Sequence, residues 1–73
     1  MADVPIRTER IALDAFLKWA GVVATGGEAK RLIQSGQVRV NAQAERRRGR
    51  QLVPGDSVTI PDGEPLMVVR QRS

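Results

Sequence analysis

The sequence lacks cysteine and histidine and contains only two aromatic residues, Phe16 and Trp19. Without cysteine there are no disulfides or thiolate metal sites, and without histidine the chain lacks the usual general base and the usual zinc ligand. We therefore expect no enzyme, no metal site and no cofactor. With so few aromatic side chains the core must consist mostly of Leu, Ile and Val, and readout of single-stranded bases on an aromatic platform is not supported.

Long hydrophobic runs are also missing. The longest apolar runs, residues 20–24 and 66–69, fall far short of the roughly 20 residues that a membrane helix needs, and the N-terminus has no signal-peptide pattern. We expect a cytoplasmic protein with no membrane partner. A chain of 73 residues buries only about 60% of its extended surface. This predicts one domain over residues 1–73 and no enclosed cavity for a small-molecule substrate. Separately from this size argument, we expect a monomer.

Positive charge is concentrated in one stretch of the chain. Residues 28–50 hold seven cations and two acids, 7 − 2 = +5, whereas the rest of the chain holds five cations and six acids, 5 − 6 = −1. The whole net charge of +4 therefore comes from this stretch. Concentration of this kind is typical of a surface that binds a polyanion. The seven cations are Lys30, Arg31, Arg39, Arg46, Arg47, Arg48 and Arg50; we call residues 46–50 the arginine segment.

Apolar spacing and capping residues predict two short helices, over about residues 14–20 and 26–35. Asp14 offers an N-cap for the first helix, which carries Phe16 and Leu17 on one side. Thr25 and Glu28 form a capping box for the second, in which each side chain satisfies a free backbone N–H. The second helix buries a stripe at Ala29, Leu32, Ile33 and Gly36, leaves Lys30 and Arg31 exposed, and ends at Gly36.

Period-two alternation predicts strands around these helices. Residues 4–7 and 11–13 are extended, residues 38–40 and 44–46 form a hairpin that turns at Asn41, and residues 58–60 and 66–69 form further strands. Turns are expected at residues 53–56 and 61–63, and residues 70–73 should be a frayed tail. The predicted fold class is α+β, with two short helices packed on a small, mostly antiparallel sheet.

Four motifs follow one another along the chain: Leu13-Asp14-x-Phe16-Leu17, Thr25-Gly26-Gly27-Glu28-Ala29-Lys30, Gly36-x-Val38-x-Val40-Asn41 and Gly55-Asp56-x-Val58. In this order they resemble the S-four-like RNA-binding domain, whose two helices and following hairpin are called the alpha-L motif. The resemblance covers about residues 11–60 and is greatest to short free-standing bacterial members. Two departures are Ala42, where the family usually has Gly, and Gln51, where a Lys is common. The short bacterial members share the helix start at residues 25–30 and a segment like Arg47-Arg48-Gly49-Arg50.

The resemblance implies a non-enzymatic protein that binds structured RNA, with ribosomal or transfer RNA as the expected partner. Arginine suits such a surface because its planar guanidinium grips phosphate in a bidentate manner. Helix N-termini also receive phosphates on their free N–H groups. The expected RNA-binding residues are the seven cations, the backbone amides of Gly26 and Gly27, and Lys18 at the flank.

Two other functions stay open at this point: an adaptor that binds an acidic protein, and a DNA-binding helix–turn–helix. The second helix is short for DNA and offers only Lys30, Arg31 and Gln34 to bases. Asp14 and Asp56 are interpreted as a cap and a turn residue rather than as catalytic acids. Trp19 is expected to pack beneath the N-terminal strand in preference to stacking on a base.

Overall fold

The computed structural model describes residues 2–61 and 63–71. It has two helices and a mostly antiparallel set of short strands, as the sequence predicts, with helix bounds within one residue of the expected ones. The elements are β1 (Ala2–Ile6), β2 (Ile11–Ala12), α1 (Leu13–Trp19), α2 (Gly26–Gln34), β3 (Arg39–Val40), β4 (Gln43–Ala44), β5 (Gln51–Leu52), β6 (Ser57–Thr59) and β7 (Leu66–Arg70).

The strands form two sheets. The larger one has the order β1-β7-β6-β3-β4, and all its pairs are antiparallel except β1 with β7, the first and last described strands, which run parallel. The smaller sheet pairs β2 with β5 and was not predicted, because β5 has no alternating pattern. The expected frayed tail is wrong at its start: Arg70 ends β7, and Gln71 N donates to Ile6 O at 2.9 Å. Asp62 of the predicted turn, and Arg72 and Ser73, lie outside the described residues.

The core lies between the two helices and one face of the larger sheet. Its residues are almost all Leu, Ile and Val, as the shortage of aromatic residues requires. Leu32, which was predicted to be buried, is only partly so; it packs against the edge of the core, as Val22 and Val23 do. The buried apolar residues are Ile6, Leu13, Phe16, Leu17, Ala29, Ile33, Val38, Val40, Leu52, Val58 and Val68.

The helix ends differ from the expected pattern at α1 and follow it at α2. The cap predicted at Asp14 is wrong: α1 begins at Leu13, one residue earlier, and Asp14 Oδ1 accepts from Ala15 N at 2.8 Å within the first turn. At α2 the Thr25 hydroxyl accepts from Glu28 N at 3.2 Å. The Glu28 carboxylate accepts from Ala24 N at 3.5 Å, one residue before the cap.

Two turns support the hairpin that follows α2. Asn41 and Ala42 both have positive φ, 52° and 70°, the combination of a type I′ turn. The carboxylate of Asp56 connects this turn with the turn at residues 53–56. Its Oδ1 accepts from Asn41 Nδ2 and its Oδ2 accepts from Val53 N, both at 3.0 Å. This confirms Asp56 as a turn residue. None of the helices in the described ranges is long and apolar enough to cross a membrane.

Candidate nucleic-acid interface

Glu45 organises the arginine segment. Its side chain is buried against the protein and accepts from the Nε and Nη2 atoms of Arg47 at 3.1 and 3.3 Å and from Arg50 Nη1 at 2.8 Å. The backbone N of Arg47 also donates to it, at 3.2 Å. The segment is therefore a folded loop with its own ion-pair centre, which a run of four arginines in five residues did not predict.

These contacts shift the acid–base equilibrium of Glu45. Hydrogen bonds from Arg47 and then Arg50 lower the pKa of its carboxyl from 4.5 to about 2, although burial alone would raise it. The same contact with Glu45 raises the pKa of the Arg47 guanidinium. Glu45 and Arg47 are consequently charged at neutral pH. Residues 45–50 keep a net charge of 4 − 1 = +3.

The backbone of the arginine segment closes the beginning of α1. Leu13 N donates to Arg50 O at 2.8 Å, and Asp14 N donates to Arg48 O at 3.1 Å. The first N–H groups of a helix lack partners within the helix, and here the carbonyls of the arginine segment supply them. This arrangement explains why α1 needs no side-chain cap and holds the segment against the first helix.

Arg46 reaches the other helix. A Cβ added at Gly36 would lie 3.0 Å from both Nε and Nη2 of Arg46, so the guanidinium packs directly on the glycine. Gly36 also has φ +80°, which favours glycine in its own right. A cation at this position is favourable because the C-terminal end of a helix carries partial negative charge. The arginine segment thus bridges the end of α2 and the start of α1.

The remaining predicted residues of α2 line its exposed side. Gly26, Gly27, Lys30 and Arg31 are all exposed. A Cβ at Gly26 would meet no atom within 4 Å, and one at Gly27 would meet only the Thr25 hydroxyl oxygen at 3.9 Å. The start of α2 is therefore open to a ligand. It lies about 12 Å along the helix axis from the end that Arg46 contacts.

Arg39 and Lys18 occupy different positions around this centre. Arg39 is exposed on β3 and pairs with Ala44 of β4, which leads directly into Glu45. Lys18 is exposed in the last turn of α1, at the end remote from the arginine segment. The structure thus brings Arg46, Arg47, Arg48 and Arg50 together on one loop and distributes the other predicted residues along α2, β3 and α1.

Five of the seven cations keep their charge unpaired: within residues 2–61 and 63–71, only Arg47 and Arg50 of this set form salt bridges. The side chain of Arg47 nevertheless remains 76% exposed, compared with 34% for Arg50. Arg47 can therefore contact Glu45 and a ligand at once. Arg50 serves mainly to hold Glu45.

Sequence reasoning missed two features. The first is the role of Glu45, although it is the acid that directly precedes the arginine segment. The second is Arg7, whose guanidinium carbon lies 5.9 Å from the ring centroid of Trp19. No group of His, Cys, Asp and Glu among the described residues could hold a metal ion.

Comparison with known proteins relates the chain to a domain family and to a bacterial protein. A family model described as S4 domain matches residues 4–69, a range that contains both helices, the hairpin and the arginine segment. The chain is also similar to a protein of Bacillus subtilis (strain 168) named "Probable ribosome maturation protein RlbA", with 46% identity over 66 residues. The aligned region covers 90% of this chain and 93% of that relative.

Proposed function

The chain belongs to the S4 domain family of RNA-binding domains, and on this premise we propose that it is a non-enzymatic protein that binds structured RNA. Its contact surface consists of the seven cations and the open start of α2 at Gly26 and Gly27. The observation that carries the proposal is the arginine segment, which Glu45 and the backbone of α1 hold in one conformation. Cations on such a frame recognise RNA through phosphate positions and shape.

Ribosomal RNA is the proposed partner. The name of the Bacillus subtilis relative supports it over transfer RNA, and it supports a role in ribosome maturation in the cytoplasm. RNA that is folded into hairpins presents phosphates at the fixed spacing that a rigid set of arginines requires. A duplex DNA of the same length has similar charge but lacks the 2′-hydroxyls and the A-form groove.

The test compares binding of a ribosomal RNA hairpin and a DNA duplex of equal length at physiological salt. We expect the wild-type protein to prefer the RNA. Changing Arg46, Arg47, Arg48 and Arg50 together to Gln should abolish this preference. A milder double variant combines Arg46→Gln with Arg48→Gln and leaves the hydrogen bonds of Arg47 and Arg50 to Glu45 intact. Circular dichroism of each variant checks that the helices persist.

Two outcomes would contradict the proposal. Equal wild-type affinity for both nucleic acids would mean that the protein is a nonspecific polyanion binder. Unchanged RNA affinity in both variants would favour the alternative functions, an acidic-protein adaptor above all, since α2 presents few side chains to DNA bases. Sedimentation of the protein with ribosomal particles, and its release at high salt, tests the proposed partner in cell extracts.

A further inference from the structure

Trp19 presents an aromatic ring to solvent at the end of α1. Its Nε1 donates to Pro5 O at 2.7 Å, which confirms that the side chain packs against β1, yet the residue is 51% exposed. The bond fixes one edge of the ring against the backbone of β1. In the described part of the chain, the only other exposed large hydrophobic residue is Val53.

Two shallow grooves border this ring. One has a volume of about 400 Å³ and is lined by Ile11, Ala15, Lys18 and Trp19. The other, of about 130 Å³, lies on the side of Arg7 and also includes Ile6, Thr8 and Ile11. The linings are mostly apolar, so a flat apolar ligand would exclude water from the indole and from Ile11 at the same time.

The surroundings of the grooves are positively charged. Arg7, Arg10 and Lys18 lie on the bend before β2 and on α1, whereas Glu9 and Asp14 are the acids of the same two elements, which makes a local charge of 3 − 2 = +1. Arg7 lies over the ring of Trp19. An aromatic ring with cations at its rim complements a nucleotide, because the base offers a flat π-face and the phosphate offers negative charge.

The helix α1 and the strand β2 connect the grooves with the arginine segment. Ile11, which lines both of them, pairs with Leu52 of β5, and Leu13 N bonds to Arg50 O. From Asp14, which bonds to Arg48 O, to Trp19 the helix rises about 7.5 Å. A strand that leaves the arginine segment along α1 therefore reaches Trp19.

We propose that the groove beside Trp19 binds an unpaired base that follows a helical region of the bound RNA. The base stacks on the indole against Ile11 and Ala15, while Lys18 and Arg7 contact the adjoining phosphates. The inference rests on the proposed RNA-binding function and adds a second contact to it, which is specific for single-stranded nucleotides.

Intrinsic fluorescence tests this site directly, because Trp19 is the only tryptophan and the chain has no tyrosine. The wild-type protein is titrated with a ribosomal RNA hairpin that carries a short single-stranded extension. The matched probe has the same hairpin and backbone, but its extension is abasic. We expect saturable quenching of Trp19 by the first probe alone, and tighter binding of that probe by about 5- to 150-fold, the range for one stacked base.

Substitution of Trp19 supplies a second measurement. Trp19→Phe and Trp19→Leu both remove the hydrogen bond to Pro5, but only Phe keeps a ring for stacking. Trp19→Phe should retain the preference for the extension with bases, and Trp19→Leu should lose it. Equal affinity of the wild type for both probes, or the same preference in Trp19→Leu, would overturn the inference.

A third probe, a blunt hairpin without any extension, distinguishes failure of this inference from failure of the proposed function. If the protein binds the blunt hairpin in a salt-dependent manner and the extension adds nothing, only the site at Trp19 is wrong. If it binds neither hairpin, both proposals are wrong. Saturable quenching of Trp19 by an acidic peptide at comparable affinity would also overturn the inference, because it would identify the groove as a protein-binding site.

Discussion

A single buried carboxylate, Glu45, organises the arginine segment into a folded loop. Without it, the four arginines of the segment would repel one another in solvent. With it, Arg47 and Arg50 donate to one buried acid and the loop closes against α1. The acid lowers the total charge by one and gives the guanidinium groups of Arg47 and Arg50 defined positions, which lowers the entropy lost when a rigid ligand binds.

The first prediction at the residue scale concerns pH. The carboxyl of Glu45 has a pKa of about 2 in the folded protein and near 4.5 without its partners. A lowered pKa adds stability above the unfolded value, and this contribution is lost as the pH falls from about 4.5 towards 2. Glu45→Gln should therefore unfold more easily than the wild type at pH 7, by about 1–3 kcal/mol. Urea denaturation should show that the difference in the free energy of unfolding between the wild type and Glu45→Gln becomes smaller below pH 4.5.

A matched variant is Glu9→Gln, which removes the same charge from an exposed residue. It should change the free energy of unfolding at pH 7 by no more than about 0.5 kcal/mol. If the free energies of unfolding of Glu45→Gln and the wild type differ by the same amount at pH 7 and below pH 4.5, the ionic role of Glu45 is contradicted.

The second prediction concerns Ala42, which has φ 70° in the hairpin turn. An L-residue in this left-handed region costs about 1–2 kcal/mol relative to the right-handed one, whereas glycine has no such penalty. Ala42→Gly should thus stabilise the protein by up to about 1 kcal/mol. Ala44→Gly, in the adjacent strand β4, should destabilise it by about 0.5–1 kcal/mol. Thermal unfolding of the two variants should shift in opposite directions; a lower melting temperature for Ala42→Gly would refute the prediction.

At the scale of elements, α2 has a buried side and an exposed side, and the two serve different purposes. Ala29 and Ile33 are fully buried in the core, whereas Lys30 and Arg31 are exposed on the opposite side. Leu32 lies between them and borders a groove with Val23. The helix can therefore present cations because its apolar side is fixed by packing against α1 and the sheet.

This difference predicts unequal costs for truncating neighbouring side chains. Ile33→Ala should lower the free energy of unfolding by about 2–5 kcal/mol, a large share of the stability of so small a domain. Leu32→Ala should cost less, because part of this side chain is already in contact with water. Chemical denaturation of the two variants measures the difference. An equal or larger cost for Leu32 would place the buried stripe of α2 one residue earlier than the structure does.

At the scale of the whole molecule, the seven cations and the strand β7 lie in different parts of the fold. The cations of α2, β3 and the arginine segment lie on the alpha-L part of the fold, whereas β7 lies on the other side of β6 from β3. If about five phosphates are contacted, the logarithm of RNA affinity should fall with the logarithm of salt concentration at a slope of about −3.5 to −4.5.

Single substitutions test whether position or net charge governs this slope. Arg48→Gln should flatten it by about 0.7–0.9, the value for one phosphate contact. Arg70→Gln removes the same charge from an exposed residue at the end of β7 and should leave the slope unchanged. Equal flattening by both variants would show that binding follows net charge alone. Fluorescence anisotropy of a labelled ribosomal RNA hairpin over a range of salt concentrations measures both.

The fold class, both helices, the hairpin and the turn at Asp56 follow from local sequence alone. Their determinants are short-range: apolar spacing on α2, the capping box at Thr25, and the glycines at positions 36 and 55, both of which have positive φ. The positions of the seven cations outside the core also follow, because charge is costly to bury without a partner. The pattern therefore predicts which part of the chain carries the basic surface.

Tertiary structure alone decided how these parts meet. The parallel pairing of β1 with β7, the small sheet of β2 with β5, and the packing of Arg46 on Gly36 join residues that are remote or unpatterned in sequence. The cap of α1 by carbonyls of the arginine segment, which the sequence led us to assign to Asp14, belongs to the same class. Local propensity carries no information about such pairings, because their energy arises only when the core has brought the partners into contact.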